Sequence, residues 1–188
     1  KQTFYASRKL DGVRVVAIVK SKDDIKFLSR QGKEFETLDN VKKAIQEKFE
    51  WKDHTPCVLD GEMCIVDDAG NENFADVIKL IRRKDFTIPN PKYKIFDMMP
   101  LEEFEETAVN THVFHWRIQA IDNWKKCGRF DGKVLDPVEQ RKITCEQDLT
   151  DFVAESNSKK WEGLILREDV KYEGKRSNSM LKVKSFRD

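Results

Sequence analysis

Alternating and short apolar runs dominate the start of the chain. TFYAS, RVVAIVK and IKFLS place apolar side chains at a spacing of two or in brief blocks. That spacing belongs to strands, whose successive side chains point to opposite faces. The dipeptide Asp11-Gly12 and the stretch Lys22-Asp23-Asp24 separate them and read as turns, the first a common hairpin signal. The period then changes. In LDNVKKAIQEKF, Val41, Ile45 and Phe49 recur at helical spacing, and Asp39 or Asn40 is positioned to cap the helix.

Strands return in CVLDGEMCIVDDAGN, interrupted by a tight turn or bulge at Asp60-Gly61. FADVIKLIRRKD predicts a short helix with Phe74, Val77, Ile78 and Ile81 on one side. Ile88-Pro89-Asn90-Pro91 predicts a loop, KYKIFDMM a strand, and PLEEFEE a helix entered through Pro100. VFHWRIQAIDNWKK is the strongest helical pattern and ends near Gly128. GKVLDPVEQ predicts a strand and then a turn, and DLTDFVAESNS a helix with Leu149, Phe152 and Val153 apolar. GLILRE and SMLKVKSF predict strands separated by the charged loop EDVKYEGKRSN. With no repeat or low-complexity tract, the pattern predicts one α+β domain over residues 1–188, its sheets mostly antiparallel and flanked by helices.

Composition narrows this only partly. The chain has 188 residues, 39% hydrophobic and 37% charged, with 35 Lys+Arg against 34 Asp+Glu for a net charge of +1. That balance neither announces nor excludes nucleic-acid binding, because a basic face can sit opposite an acidic one. No run is long and apolar enough to span a bilayer, and no signal-peptide pattern opens the chain. Cys57, Cys64, Cys127 and Cys145 form no Cys-x-x-Cys pair, and His54, His112 and His115 complete no zinc spacing. Free thiols in a reducing compartment are expected. The start at Lys1 without methionine and the charged end at Asp188 suggest a piece of a longer protein.

Candidate chemistry gathers around RKLDGVR, residues 8–14. A lysine nucleophile must be neutral to attack. With an ordinary pKa near ~10.4, only about a thousandth of a free lysine is neutral near pH 7.4. Burial or nearby cations raise that share. Arg14, Arg30, Lys182 and Lys184 are candidates for those cations. Lys182 and Lys184, two apart on one strand face, suit either an anion such as triphosphate or a solvated edge strand. Glu62 and Glu162 are carboxylates at strand starts, suited to ribose hydroxyls or magnesium. Phe96 suits the core or a stacked base.

These segments together resemble the adenylation (nucleotidyltransferase) domain of ATP-dependent DNA ligases, especially the compact bacteriophage-like type. KLDGVR resembles the family's K-x-D-G-x-R signature, with Lys9 in the place of the adenylated lysine. SRQGKEF places Arg30 on phosphate or ribose, and LDGEM places Glu62 on the ribose. KIFDMM places Phe96 against adenine, and WEGLILR places Glu162 at the metal. LKVKSF places Lys182 and Lys184 on the α-phosphate, near the nucleophile. Six segments in family order span Lys9 to Lys184.

The resemblance implies an ATP-grasp-like nucleotidyltransferase fold around a nucleotide cleft, ATP and Mg2+ as cofactors, AMP carried covalently on Lys9, and nicked double-stranded DNA as partner. It also implies a monomer, working in a bacterial or phage-infected cytoplasm or a eukaryotic nucleus, in DNA replication, repair or recombination. Two departures stand out. The position two before the nucleophile, often Glu or Gln and used to read the adenine amino group, holds Ser7. The OB-fold domain that follows in the family is not in this sequence. The rival readings are an RNA ligase, an mRNA-capping guanylyltransferase, or a catalytically inactive relative.

Overall fold

The computed structural model describes residues 3–174 and 180–184. Two sheets carry the fold, as the α+β expectation requires. The larger contains β2 (Val13–Ser21), β3 (Asp24–Leu28), β4 (Cys57–Val66), β6 (Pro91–Pro100) and β7 (Leu135–Pro137) in the order β3-β2-β4-β6-β7. The two-residue strand β5 (Glu72–Asn73) pairs with the end of β4. Pairing is antiparallel except between β6 and β7, which run parallel. The smaller sheet is antiparallel, in the order β10-β9-β1-β8, with β1 (Phe4–Arg8), β8 (Arg141–Ile143), β9 (Gly163–Glu168) and β10 (Met180–Lys184). No helix among the described residues is long and apolar enough to cross a membrane.

Alternation explains which face each strand buries. On β2, Val15, Ala17 and Val19 are fully buried, and they join Leu59 and Met63 of β4 and Tyr93 and Ile95 of β6 in the main core. The helices α1 (Asp39–Lys48), α2 (Ala75–Leu80) and α4 (Phe114–Lys126) close that face through Val41, Ile45, Val77 and Ile121. The smaller sheet buries Ala6, Ile143, Leu164 and Leu166 against Phe152 of α5 (Glu146–Ser158). The short α3 (Leu101–Phe104) follows Pro100, which stands at its N-cap. The opposite faces of the two sheets are left to form a cleft.

Several local expectations change. Asp11-Gly12 is not a hairpin turn, because β1 and β2 belong to different sheets; it is the crossover between them. Gly12 is required there by crowding: a Cβ would lie 2.7 Å from Met63 O and 2.8 Å from Phe74 Cδ1. Asp60-Gly61 is a bulge inside one continuous strand, the register with β6 shifting between these residues. A Cβ on Gly61 would stand 2.2 Å from Lys94 O, so β6 itself excludes any side chain. Neither Asp39 nor Asn40 caps α1. Its N-cap is Leu38, and the Asn40 amide instead donates to Ile88 O at 2.9 Å. Ile78, expected on the buried side of α2, is 57% exposed. The strands β5 and β8 are too short for their alternation to show. All four cysteines are free.

Candidate active site

The cleft between the two sheets holds about 570 Å³, within the range typical of small-molecule sites. Its walls bring together Lys9, Arg14, Arg30, Glu62, Phe96 and Lys182, which are far apart in sequence. Lys9 lies one residue beyond β1, where its N–H donates to Gly163 O at 2.8 Å and ties it to the start of β9. Its Nζ contacts Glu162 Oε1 at 2.5 Å, with the lysine side chain largely buried. The charged group touching the lysine is therefore a carboxylate, where the sequence suggested cations.

Arg14 illustrates why. Its Nε and Nη2 donate to the two oxygens of Asp60 at 2.9 and 2.5 Å, and Asp60 has no exposure. Tyr172 donates its hydroxyl to Asp60 at 2.6 Å and accepts from Arg14 at 3.2 Å. Burial works against the Arg14 charge, but Asp60 and Tyr172 outweigh it and hold the guanidinium above its ordinary pKa. Arg14 and Asp60 form a neutral pair in the wall, so Arg14 adds little net positive field at Lys9.

Glu62 sits on β4 opposite Arg14 of β2 and Lys94 of β6. Burial pushes its carboxyl up to about 7, and the Asp60 charge pushes the same way. Arg14, the Gly12 N–H and Arg30 pull it down less strongly. Lys94 is occupied elsewhere, its Nζ 2.5 Å from Glu72 and 2.7 Å from Asp136.

Phe96 faces the cleft rather than the core. Arg167 of β9 lies over its ring, the guanidinium carbon 4.6 Å from the centroid, and donates to Ser7 Oγ at 3.1 Å. Burial lowers the Arg167 pKa, opposed by Asp97 and Asp60. Behind Phe96, Asp97 is held by Arg117 of α4, Nε to Oδ1 at 2.8 Å. Arg117 also donates to His112 O and Val170 O at 2.6 and 3.0 Å, fixing the segment that carries Tyr172.

Lys182 stands on β10 opposite Ile165, exposed and lining the cleft. The backbone of Lys184 pairs with Gly163, which places both lysines on one strand at a sheet edge. The side chain of Lys184 lies outside the described residues. So do parts of the EDVKYEGKRSN and SMLKVKSF segments. His112 and His115 take separate carboxylate partners, Glu103 and Asp169. No group of three His, Cys, Asp or Glu side chains able to hold a metal occurs among the described residues.

Sequence reasoning missed Asp60, Asp97, Arg117 and Tyr172. The available signal was charge at buried strand positions, in LDGEM and IFDMM, and an arginine on the apolar face of the VFHWRIQAIDNWKK helix.

Comparison with known proteins agrees with this architecture. A solved structure named Pmar-Lig_PreS3 superposes with a TM-score of 0.82 at 26% identity, over 98% of this chain and 43% of its own length. The ATP-dependent DNA ligase from bacteriophage T7, in complex with ATP, gives 0.69 at 20% identity, over 97% of this chain and 62% of that one. A Chlorella virus DNA ligase-adenylate gives 0.67 at 22%, over 96% and 60%. The chain thus spans less than half of the first of these relatives. Curated protein sequences gave no significant match. Residues 1–184 match the family described as the ATP dependent DNA ligase domain, and the chain belongs to that family.

Proposed function

We propose that this domain carries out the self-adenylation step of a DNA ligase, with Lys9 as nucleophile. The Lys9 Nζ attacks the α-phosphorus of ATP. A phosphorus–nitrogen bond forms, the bond to the bridging oxygen breaks, and pyrophosphate leaves. Glu162 Oε1, 2.5 Å from Nζ, is an acceptor in place for the proton that Lys9 must shed. The observation carrying this reading is that Lys9–Glu162 pair at the edge of a cleft also lined by Glu62, Phe96 and Lys182.

Position in the cleft supports the other roles. Phe96 offers one ring face to adenine while Arg167 covers the other. Glu62 accepts from the ribose hydroxyls. Arg30 and Lys182, both exposed on the cleft wall, face the triphosphate; the same role for Lys184 rests on the resemblance of LKVKSF alone. Positioning and fixed charge are the main resources of phosphoryl transfer. Arg14 shapes the wall through Asp60 and Tyr172.

Glu162 and Glu62 fit a magnesium ion carried largely by substrate phosphates. Such an ion keeps its waters and takes only one or two protein carboxylates. When bound, it supplies positive charge to the phosphate oxygens. In the longer, monomeric enzyme, AMP then passes from Lys9 to the 5′-phosphate of nicked DNA. The 3′-hydroxyl displaces AMP to seal the strand, in a bacterial or phage-infected cytoplasm or a nucleus. DNA contacts through surface Lys and Arg make this step salt-sensitive.

Intact mass spectrometry tests the first step. The chain, and a longer one carrying the following domain, are measured before and after ATP with magnesium, and again after pyrophosphate. A gain of one AMP, reversed by pyrophosphate and lost in Lys9→Ala, is expected. Covalent AMP on the Lys9→Ala protein refutes the assignment, and GMP in preference to AMP indicates a capping enzyme. No nucleotide on either chain indicates an inactive relative.

A further inference from the structure

Arg8 stands immediately before Lys9 and has no task in the scheme above. It ends β1, where alternation puts it on the same face as Phe4 and Ala6, the face packed against Phe152 of α5. Its partner across the sheet is Leu164, buried in that same cluster. A guanidinium at the rim of an apolar cluster is poorly supplied with polar partners. Its Nε is buried and has no hydrogen-bond partner among the described residues. Its Nη1 stands 3.5 Å from Glu72 Oε2, beyond ordinary hydrogen-bond length.

Two rings hold it instead. The guanidinium carbon lies 5.5 Å from the centroid of Trp161 and 5.7 Å from that of Phe74, within the ~6 Å reach of cation–π attraction. The two rings belong to different halves of the fold. Trp161 precedes β9, meets Phe152 edge-on at 5.8 Å, and donates its N–H to Ser156 O of α5 at 2.9 Å. Phe74 follows β5 of the larger sheet and crowds Gly12, the far end of the crossover that carries Lys9. On both strands the residue one step further is a site residue: Lys9 follows Arg8, and Glu162 follows Trp161. Those two then meet, Nζ to Oε1 at 2.5 Å.

We propose that Arg8 is a positioning residue for self-adenylation: wedged between Trp161 and Phe74, its guanidinium holds the Lys9 crossover in line with Glu162. It touches neither ATP nor the transferred phosphate, and acts through the rings on either side. Displacing a reacting group by about an ångström costs on the order of 100-fold in rate. This rests on the reading of Lys9 as nucleophile and adds what aligns it.

The test separates the rate of transfer from the binding of ATP in wild type, Arg8→Gln, Arg8→Lys, Trp161→Leu and the Arg8→Gln/Trp161→Leu double variant. Each protein is first cleared of AMP with pyrophosphate. Single-turnover AMP uptake at saturating ATP with magnesium is followed by intact mass, and ATP affinity is measured by calorimetry without added metal. Arg8→Gln is expected to slow uptake by about 10- to 100-fold while ATP affinity stays within about 3-fold. Arg8→Lys keeps a cation for the two rings and recovers the rate to within about 5-fold of wild type. Trp161→Leu is slowed like Arg8→Gln, and the double variant is no slower than the slower single one, because one contact is lost in each case. An unchanged rate in Arg8→Gln, a loss of ATP affinity that accounts for its slower uptake, an unrescued Arg8→Lys, or single effects that multiply in the double variant overturns the proposal. If Arg8→Gln does not fold, Trp161→Leu and Arg8→Lys decide it: full speed in the first or a slow second is contrary. Wild type that gains no AMP refutes the nucleophile reading itself, a result distinct from a wild type that reacts and variants that do not slow.

Discussion

Replacing Glu62 by glutamine should make the unliganded protein more stable at neutral pH while weakening its grip on nucleotide. The carboxyl has an ordinary value of 4.5 and is pushed up to about 7 in the fold, chiefly by burial and then by Asp60. Below 4.5 both folded and unfolded chains keep the proton, and Glu62 contributes no pH dependence. As pH rises from 4.5 toward 7 the unfolded chain releases the proton first, so the folded state loses stability across this window. Above about 7 the full cost is present. The gap between 4.5 and about 7, at ~1.36 kcal/mol per pH unit, is about 3 kcal/mol. Glutamine has no charge to bury and accepts from the Gly12 N–H as the neutral acid would. Urea unfolding of both proteins at pH 4.5 and pH 8 should give a stability difference that shifts by about 3 kcal/mol in favour of Glu62→Gln at the higher pH. In a thermal melt that corresponds to roughly 6–12 °C for a chain of this size. Parallel pH profiles would refute the burial argument. Under the function proposed above, the cost has a sense: ribose hydroxyls donating to the carboxylate would relieve its burial.

Phe96→Ala should weaken ATP binding by roughly 1–3 kcal/mol, the loss of one base–aromatic stack; an unchanged dissociation constant in calorimetry refutes the stacking role. Gly12→Ala sets a Cβ 2.7 Å from a backbone oxygen and should destabilise the fold by about 1–3 kcal/mol. A urea midpoint equal to wild type would show that the crossover can relax. Tyr172→Phe removes the 2.6 Å hydrogen bond to a carboxylate of zero exposure and should cost about 1.5–3 kcal/mol in the same assay. No loss would mean that Arg14 alone satisfies Asp60.

The sequence by itself determined most of the elements and the family. Alternation in RVVAIVK and KYKIFDMM marks strands, and the spacing in LDNVKKAIQEKF marks a helix, because both are local properties of the backbone. Of the residues lining the cleft, Lys9, Arg14, Arg30, Glu62, Phe96 and Lys182 were legible because short segments carry their chemistry in order; Asp60, Asp97, Arg117 and Tyr172 were not. Tertiary structure decided the partners. Asp11-Gly12 satisfies a turn equally well whether the flanking strands pair or part, so only the sheets reveal that Lys9 stands at a crossover. The glycine of LDGEM looks like a turn residue until Lys94 O is found where its Cβ would be. Arg14 looks like a free cation until Asp60, 46 residues away, and Tyr172, 158 away, close on it. Secondary structure follows from neighbours along the chain. Charge pairing, crowding and burial follow from neighbours in space, which local sequence does not encode.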